Sequence, residues 1–182
     1  MSVVSERKAL VLFQDEARFG RISIPKNCWA PAPIRPVVFQ QAIREYTYVY
    51  GAFAPKEGVA DTFIFPDMHT TTMTAFLNET GKRHPDREIL MVMDGAPCHT
   101  SGALSVPENI HCCILPPYSP ECNPSENMWD ELREKYFSNN VFRDMSSLKK
   151  HLIVALTGLD AHPETVQGIA GTPWIMKELV SF

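Results

Sequence analysis

Five apolar residues in a row, Ile89-Leu-Met-Val-Met93, end directly on Asp94. The run has the length of a strand, and its lack of alternation marks a strand buried on both faces. A carboxylate in that position must be paired or must ligate something, because an unpaired buried charge is costly. Gly95 behind it is expected to let the backbone turn. A second apolar run, from Ile110 to Leu115, stops in a proline-rich turn, and Asn123-Pro124-Ser125-Glu126 opens a helix beyond it. With Asn123 as N-cap, Pro124 at N1 and Glu126 at N3, this helix is expected to reach about Phe137. Met128, Trp129, Leu132 and Tyr136 give it one apolar face. An acid at a strand's end and another at a helix's start suit a divalent metal if the fold joins them, with Asp15 as the expected third ligand.

Upstream, Ala9 to Phe13 reads as a buried strand leading into Gln14-Asp15-Glu16, with Arg18 and Arg21 beyond. Those arginines suit either phosphate contact or solvent. Four prolines exclude a long helix from residues 21–44, where Trp29 is expected to anchor the segment to the domain. Residues 45–53 and 59–65 read as a hairpin about Pro55-Lys-Glu-Gly58, followed by a helix from Thr70 to about Arg83. A short helix is expected around 98–104, an amphipathic one over 145–156, and a last one near 174–180. Three antiparallel strands followed by alternating helix and strand make an α/β mixed sheet. If the first and fourth strands are parallel neighbours, Asp15 and Asp94 leave the sheet at the same edge, where such sheets place ligands.

At 182 residues the chain fits one domain, and 45% hydrophobic residues suffice for a sizeable core. Its apolar runs are far shorter than the roughly 20 residues that cross a bilayer. No signal peptide is visible, so the expected home is the cytoplasm. Five cysteines with no CxxC pair argue against a disulfide framework. Cys98-His99 with His111-Cys112-Cys113 has an uncommon spacing for zinc, and strand neighbours such as Cys112 and Cys113 point to opposite faces. The net charge of −4 is unlike that of a stand-alone nucleic-acid binder. It is compatible with a carboxylate site that cations fill.

Each acid alone has a plainer reading. Asp15 could cap a turn. Glu126 at N3 could complete a capping box. Asp94 is harder to explain without a partner, and His99 suits the orientation of a ligand. Glu16, Asp130 and Glu131 are the acids that would substitute if one of the three were wrong.

Three stretches carry a resemblance: Phe13-Gln-Asp-Glu-Ala-Arg-Phe-Gly20, Met93-Asp-Gly-Ala-Pro-Cys-His99, and Leu115 to Trp129 (LPPYSPECNPSENMW). In order and content they resemble the acidic motifs of mariner-like DDE transposases, nearest the bacterial insertion-sequence-630 group. The resemblance spans about residues 8–155. It implies a ribonuclease-H-like α/β fold, a mixed five-stranded sheet flanked by helices. It also implies Asp15, Asp94 and Glu126 as catalytic metal ligands for two Mg²⁺ or Mn²⁺ ions, with His99 and Asn123 as supporting residues. Two departures stand out. Gly95 replaces the family's usual asparagine, and the 32 positions between Asp94 and Glu126 are slightly fewer than usual.

The activity so implied is hydrolytic nicking at transposon ends, then attack of the freed 3′-OH on target DNA. The expected organisation is a single catalytic domain over 1–182, with a core of about 8–155, a helical tail over 156–182 and no N-terminal helix-turn-helix domain. The expected partners are DNA, a second copy in a homodimer and a separate DNA-binding polypeptide, with no membrane. The expected location is the nucleoid. Two rivals share the fold: a nuclease without strand transfer, and an inactive remnant or accessory subunit.

Overall fold

The chain's first strand, β1 (Leu10–Ile22), forms the centre of a five-stranded mixed sheet. On one side β2 (Ala42–Ala54) and then β3 (Val59–Phe65) run antiparallel to their neighbours. On the other, β4 (Ile89–Met93) pairs parallel with β1, and β5 (Ile110–Ile114) parallel with β4. The structure, a computed structural model, describes residues 9–23 and 25–179. The expected core start at residue 8 and the expected helix end at Val180 lie outside them. Among the described residues no helix is long and apolar enough to cross a membrane.

β1 is more than twice as long as its apolar run. Its pairing with β4 ends at Phe13, but its pairing with β2 continues to Ile22. Past Phe13 the strand alternates, with Ala17 and Phe19 buried and Arg18 exposed. Asp15 and Glu16 therefore sit within a strand, not in a turn after it. This corrects the sequence expectation and removes turn capping as an explanation of Asp15.

The alternation divides the core in two. Leu10 and Leu12 face α1 (Thr70–Arg83), which buries Met73, Phe76 and Leu77 at helical spacing beside Ile89, Met91 and Met93. The opposite face carries Ala17, Phe19, Val49 and Phe53. It is covered by α3 (Ser125–Leu132), α4 (Met145–Asp160) and α5 (Pro163–Ala170). On the same side of the sheet, α6 (Pro173–Glu178) lays Ile175 against Val11, Phe13 and Val92. A short helix, α2 (Pro97–Thr100), follows β4. Asp144 starts α4 with a capping box, accepting from Ser147 N at 2.7 Å while Ser147 Oγ receives the Asp144 N–H at 3.2 Å. The β2–β3 turn needs Gly58, whose φ of 74° favours glycine and where a Cβ would meet the Pro163 backbone at 2.5 Å.

Two further expectations are corrected. Trp29 anchors nothing: its relative exposure is 103%. The segment between β1 and β2 is tied down by polar groups instead. Gln41 exchanges hydrogen bonds with the Phe142 backbone, and Asn139 with that of Lys26. Arg21 is engaged there too, donating to Glu45 and to the carbonyls of Phe142 and Arg143. The second correction concerns α3. The helix proper starts at Ser125, so Glu126 is its second residue, while Asn123 still supplies an oxygen to its first turn by accepting the Ser125 N–H. Glu126 thus takes no part in a capping box. The helical path still reaches Phe137, through a π-type turn over Arg133–Phe137.

Candidate active site

The parallel pairing of β1 and β4 sets Leu10 beside Ile89 and Phe13 beside Val92. Carried two residues further, the same register sets Asp15 beside Asp94. Asp15 has the parity of Phe13 and faces the side of the sheet that α3 covers, where Trp129 reaches it, while Asp94 lies just past the last residue of β4. Two acids 79 positions apart in sequence, one within β1 and one just past the end of β4, are thus close enough for the charge of Asp94 to act on Asp15.

Three hydrogen bonds fix α3 over that end. Ser125 Oγ donates to the Phe13 carbonyl at 2.8 Å, and Asn123 Nδ2 donates to the Gln14 carbonyl at 2.8 Å. The Trp129 indole N–H donates to Asp15 Oδ2 at 2.9 Å. Asn123 also accepts from the Ser125 N–H at 3.1 Å, bracing the start of the helix. Glu126 is exposed one helical turn ahead of Trp129, the spacing at which helix side chains are neighbours. It lines a 210 Å³ cavity with Asn123, Asn127, Thr172 and Ile175, so the C-terminal α6 borders this edge. The sequence pointed to a helix near 174–180 but not to its place beside this edge.

Room for the indole comes from Gly51, the β2 partner of Asp15. A Cβ there would lie 2.5 Å from Trp129 Cη2. Gly95, by contrast, has no such duty. Its φ is not in the left-handed range, and a Cβ would meet only Ile114 at 3.8 Å. The expectation that Gly95 serves the turn is therefore corrected.

Glu16 points to the opposite face from Asp15, and there it meets His99. Nε2 of His99 lies 2.9 Å from Glu16 Oε1, and Nδ1 lies 2.8 Å from Asp94 Oδ1 and 3.0 Å from the Asp94 carbonyl. The His99 and Glu16 side chains are only 1% and 4% exposed. Glu16 thus lies outside the group formed by Asp15 and Asp94. Asp130 is exposed and faces Arg133, 3.5 Å away.

Burial pushes the Asp15 carboxyl up to about 7, and the charges of Glu16 and Asp94 add to the shift. The Glu16 N–H and the Trp129 indole oppose it. For His99, burial works against the charged ring, but the hydrogen bond and charge of Glu16, with the carbonyl and charge of Asp94, lift it to about 9. Burial and Glu16 raise the Cys98 thiol. Among the described residues, Glu16, Cys98 and His99 are the group offering three ligand atoms within 4.8 Å of one another. Two of those atoms are already bonded to each other. Asp15, Asp94 and Glu126 are spread more widely than that. His111, Cys112 and Cys113 are exposed on β5, apart from Cys98.

The family model described as DDE superfamily endonuclease matches residues 10–149. The chain belongs to the DDE endonuclease superfamily. An uncharacterised protein of Sinorhizobium fredii, y4pE/y4sA, is 32% identical over 130 residues, covering 71% of this chain and 96% of that protein. The transposable element Tc3 transposase of Caenorhabditis elegans is 29% identical over 160 residues, covering 80% of this chain and 48% of that protein. The Mos1 transposase paired-end complex with left transposon end is similar in structure, with a TM-score of 0.59 at 14% identity. That match covers 90% of this chain and 56% of the Mos1 chain. The chain thus spans about half the length of both transposases. The DDE fold is ribonuclease-H-like, as the motifs implied.

Proposed function

We propose that the chain is the catalytic domain of a DNA transposase of the mariner-like, insertion-sequence-630 type, with Asp15, Asp94 and Glu126 as the catalytic carboxylates. The observation that carries this reading is that the parallel β1–β4 pairing brings Asp15 and Asp94 close together, with Asp15 tied by Trp129 to the helix that bears Glu126.

The donor set fits Mg²⁺ or Mn²⁺. It consists of hard carboxylate oxygens, and no lysine or arginine among the described residues pairs with any of the three acids. Burial, with the charges of Glu16 and Asp94, raises the Asp15 carboxyl, and a bound cation would favour its charged form. Mos1 paired-end complexes solved with Mn and with Mg support the same choice. When bound, two such ions supply activation of the attacking oxygen and charge stabilisation at the leaving oxygen of a phosphodiester.

The chain's own contribution is placement. Trp129 holds Oδ2 of Asp15, and Ala96 N–H with His99 holds Oδ1 of Asp94, so the orientation of each carboxylate is set by its neighbours. Asn123 and Ser125 lock α3, and with it Glu126, to β1. No side chain is required as a covalent nucleophile, because water or a 3′-OH attacks.

A net charge of −4 gives the chain little attraction for DNA. Recognition of transposon ends therefore falls to a basic DNA-binding module, in cis or on a separate polypeptide, and a homodimer brings two ends together. Action on DNA places the protein at the nucleoid. The test supplies Mn²⁺ and a labelled transposon-end duplex with such a module added. Cleaved ends joined to a second DNA are expected. Cleavage without joining would make the chain a nuclease, and no cleavage by the folded, partnered protein would make it a remnant.

A further inference from the structure

We propose that Glu16 is a positioning residue for Asp94, acting through His99. The inference rests on the reading of Asp94 as a cation ligand and assigns the residue that keeps it aligned.

Consecutive residues of a strand point to opposite faces, so Asp15 and Glu16 cannot reach one point on the same side of the sheet. The structure connects them to the site by two routes. Asp15 faces it directly. Glu16 reaches it from the far face, because β4 ends at Met93 and α2 swings His99 around that end. The imidazole then spans the gap, with Nε2 2.9 Å from Glu16 Oε1 and Nδ1 2.8 Å from Asp94 Oδ1.

Asp94 needs such support. It follows the last residue of β4, and its side chain is 58% exposed. Its Oδ1 receives both the Ala96 N–H at 3.0 Å and His99 Nδ1, while its Oδ2 takes no partner among the described residues. That division leaves one oxygen fixed and one available. An imidazole held only at Nδ1 could still swing about that bond. Glu16 removes the freedom by holding the opposite nitrogen, from a position of β1 paired with Tyr50 of β2. Glu16 has no other hydrogen-bond partner on its side chain among the described residues. Groups that orient a metal ligand in this way typically change metal affinity or activity 10–100-fold when removed.

The experiment is a Mn²⁺ titration of the full 182-residue chain by calorimetry, with thermal unfolding followed in parallel. Wild type is compared with Asp94→Ala, Glu16→Ala, Glu16→Gln, His99→Ala and the Glu16→Ala/His99→Ala double variant. Expected is a roughly tenfold higher Kd for each of the alanine variants at Glu16 and His99. The double variant should be no worse than either single one, because both residues act along one path. Glu16→Gln keeps an acceptor oxygen for Nε2 and should stay within about threefold of wild type.

A remote core variant, Leu152→Ala, separates positioning from general loosening. It should lower the melting temperature and leave Kd unchanged. Wild-type affinity in Glu16→Ala would overturn the proposal while leaving Asp94 as a ligand. So would multiplied losses in the double variant, or an equal loss in Leu152→Ala. A wild-type chain that binds no Mn²⁺, or binding unaffected by Asp94→Ala, would overturn both the proposal and the reading beneath it.

Discussion

Trp129 donates its indole N–H to Asp15 Oδ2 at 2.9 Å across the bare backbone of Gly51. One residue thereby joins helix to sheet and core to site. Its ring packs edge-on against Phe53 with centroids 5.3 Å apart, and its nitrogen favours the charged form of Asp15. Trp129→Phe keeps most of the packing and removes the donor. Loss of a hydrogen bond to the ionised form raises the Asp15 pKa above about 7, so a proton competes better with a cation. Mn²⁺ affinity at pH 7 should fall about three- to tenfold and recover at pH 8.5, as a titration at the two pH values would show.

The raised Asp15 pKa also makes the metal-free protein pH-sensitive. The folded state holds this proton more tightly than the unfolded one, about 7 against 3.8. Its contribution to stability is therefore complete below pH 3.8 and is lost as pH rises to about 7. Asp15→Asn removes that loss. At pH 7.5 without divalent cations it should be more stable than wild type, on the order of 2–4 kcal/mol. Urea unfolding across pH 4–8 measures this, and saturating Mg²⁺ should narrow the difference by stabilising wild type alone.

Ser125 tests how firmly α3 is seated. Its hydroxyl meets the carbonyl of Phe13 in a fully buried position. Ser125→Ala leaves that carbonyl unpaired and should cost about 1–3 kcal/mol in denaturant unfolding. Glu126 rides on the same helix, so metal affinity should fall with it.

The two glycines beside the aspartates should behave oppositely. Gly51→Ala drives a methyl into the indole of Trp129 and should destabilise the fold by about 1–3 kcal/mol, with a shift in tryptophan emission. Gly95→Asn meets only an ordinary contact with Ile114 and should change stability by no more than about 0.5 kcal/mol. Thermal unfolding of the two variants side by side checks both.

Much of this fold was legible because its elements announce themselves locally. The apolar run 89–93 could only be a strand buried on both faces, and the hairpin at 45–65 and the helix from Thr70 to Arg83 lie where their patterns set them. β1 was cut short because an apolar run ends at Phe13, whereas the strand goes on with one face polar and continues to pair with β2. Trp29 misled because aromatic residues are usually buried, and no local pattern shows that a segment leaves the surface. The nearness of Asp15 to Asp94 depends on the parallel pairing of β1 with β4, which the alternation of elements suggested. The contact of Glu16 with His99 could not be foreseen, because it depends on how α2 rounds the end of β4. Its one signal was a charged residue in a strand with no partner on its own face.

The central claim is that Asp15, Asp94 and Glu126 hold divalent cations at one site. The most direct measurement replaces Mg²⁺ with Fe²⁺, adds ascorbate and peroxide, and maps where the backbone is cut by locally generated radicals. Cuts are expected near residues 15, 94 and 126 together, suppressed by excess Mg²⁺ and lost in Asp94→Ala. Cutting that spares the segment at Glu126, or that persists unchanged in Asp94→Ala, would contradict the account.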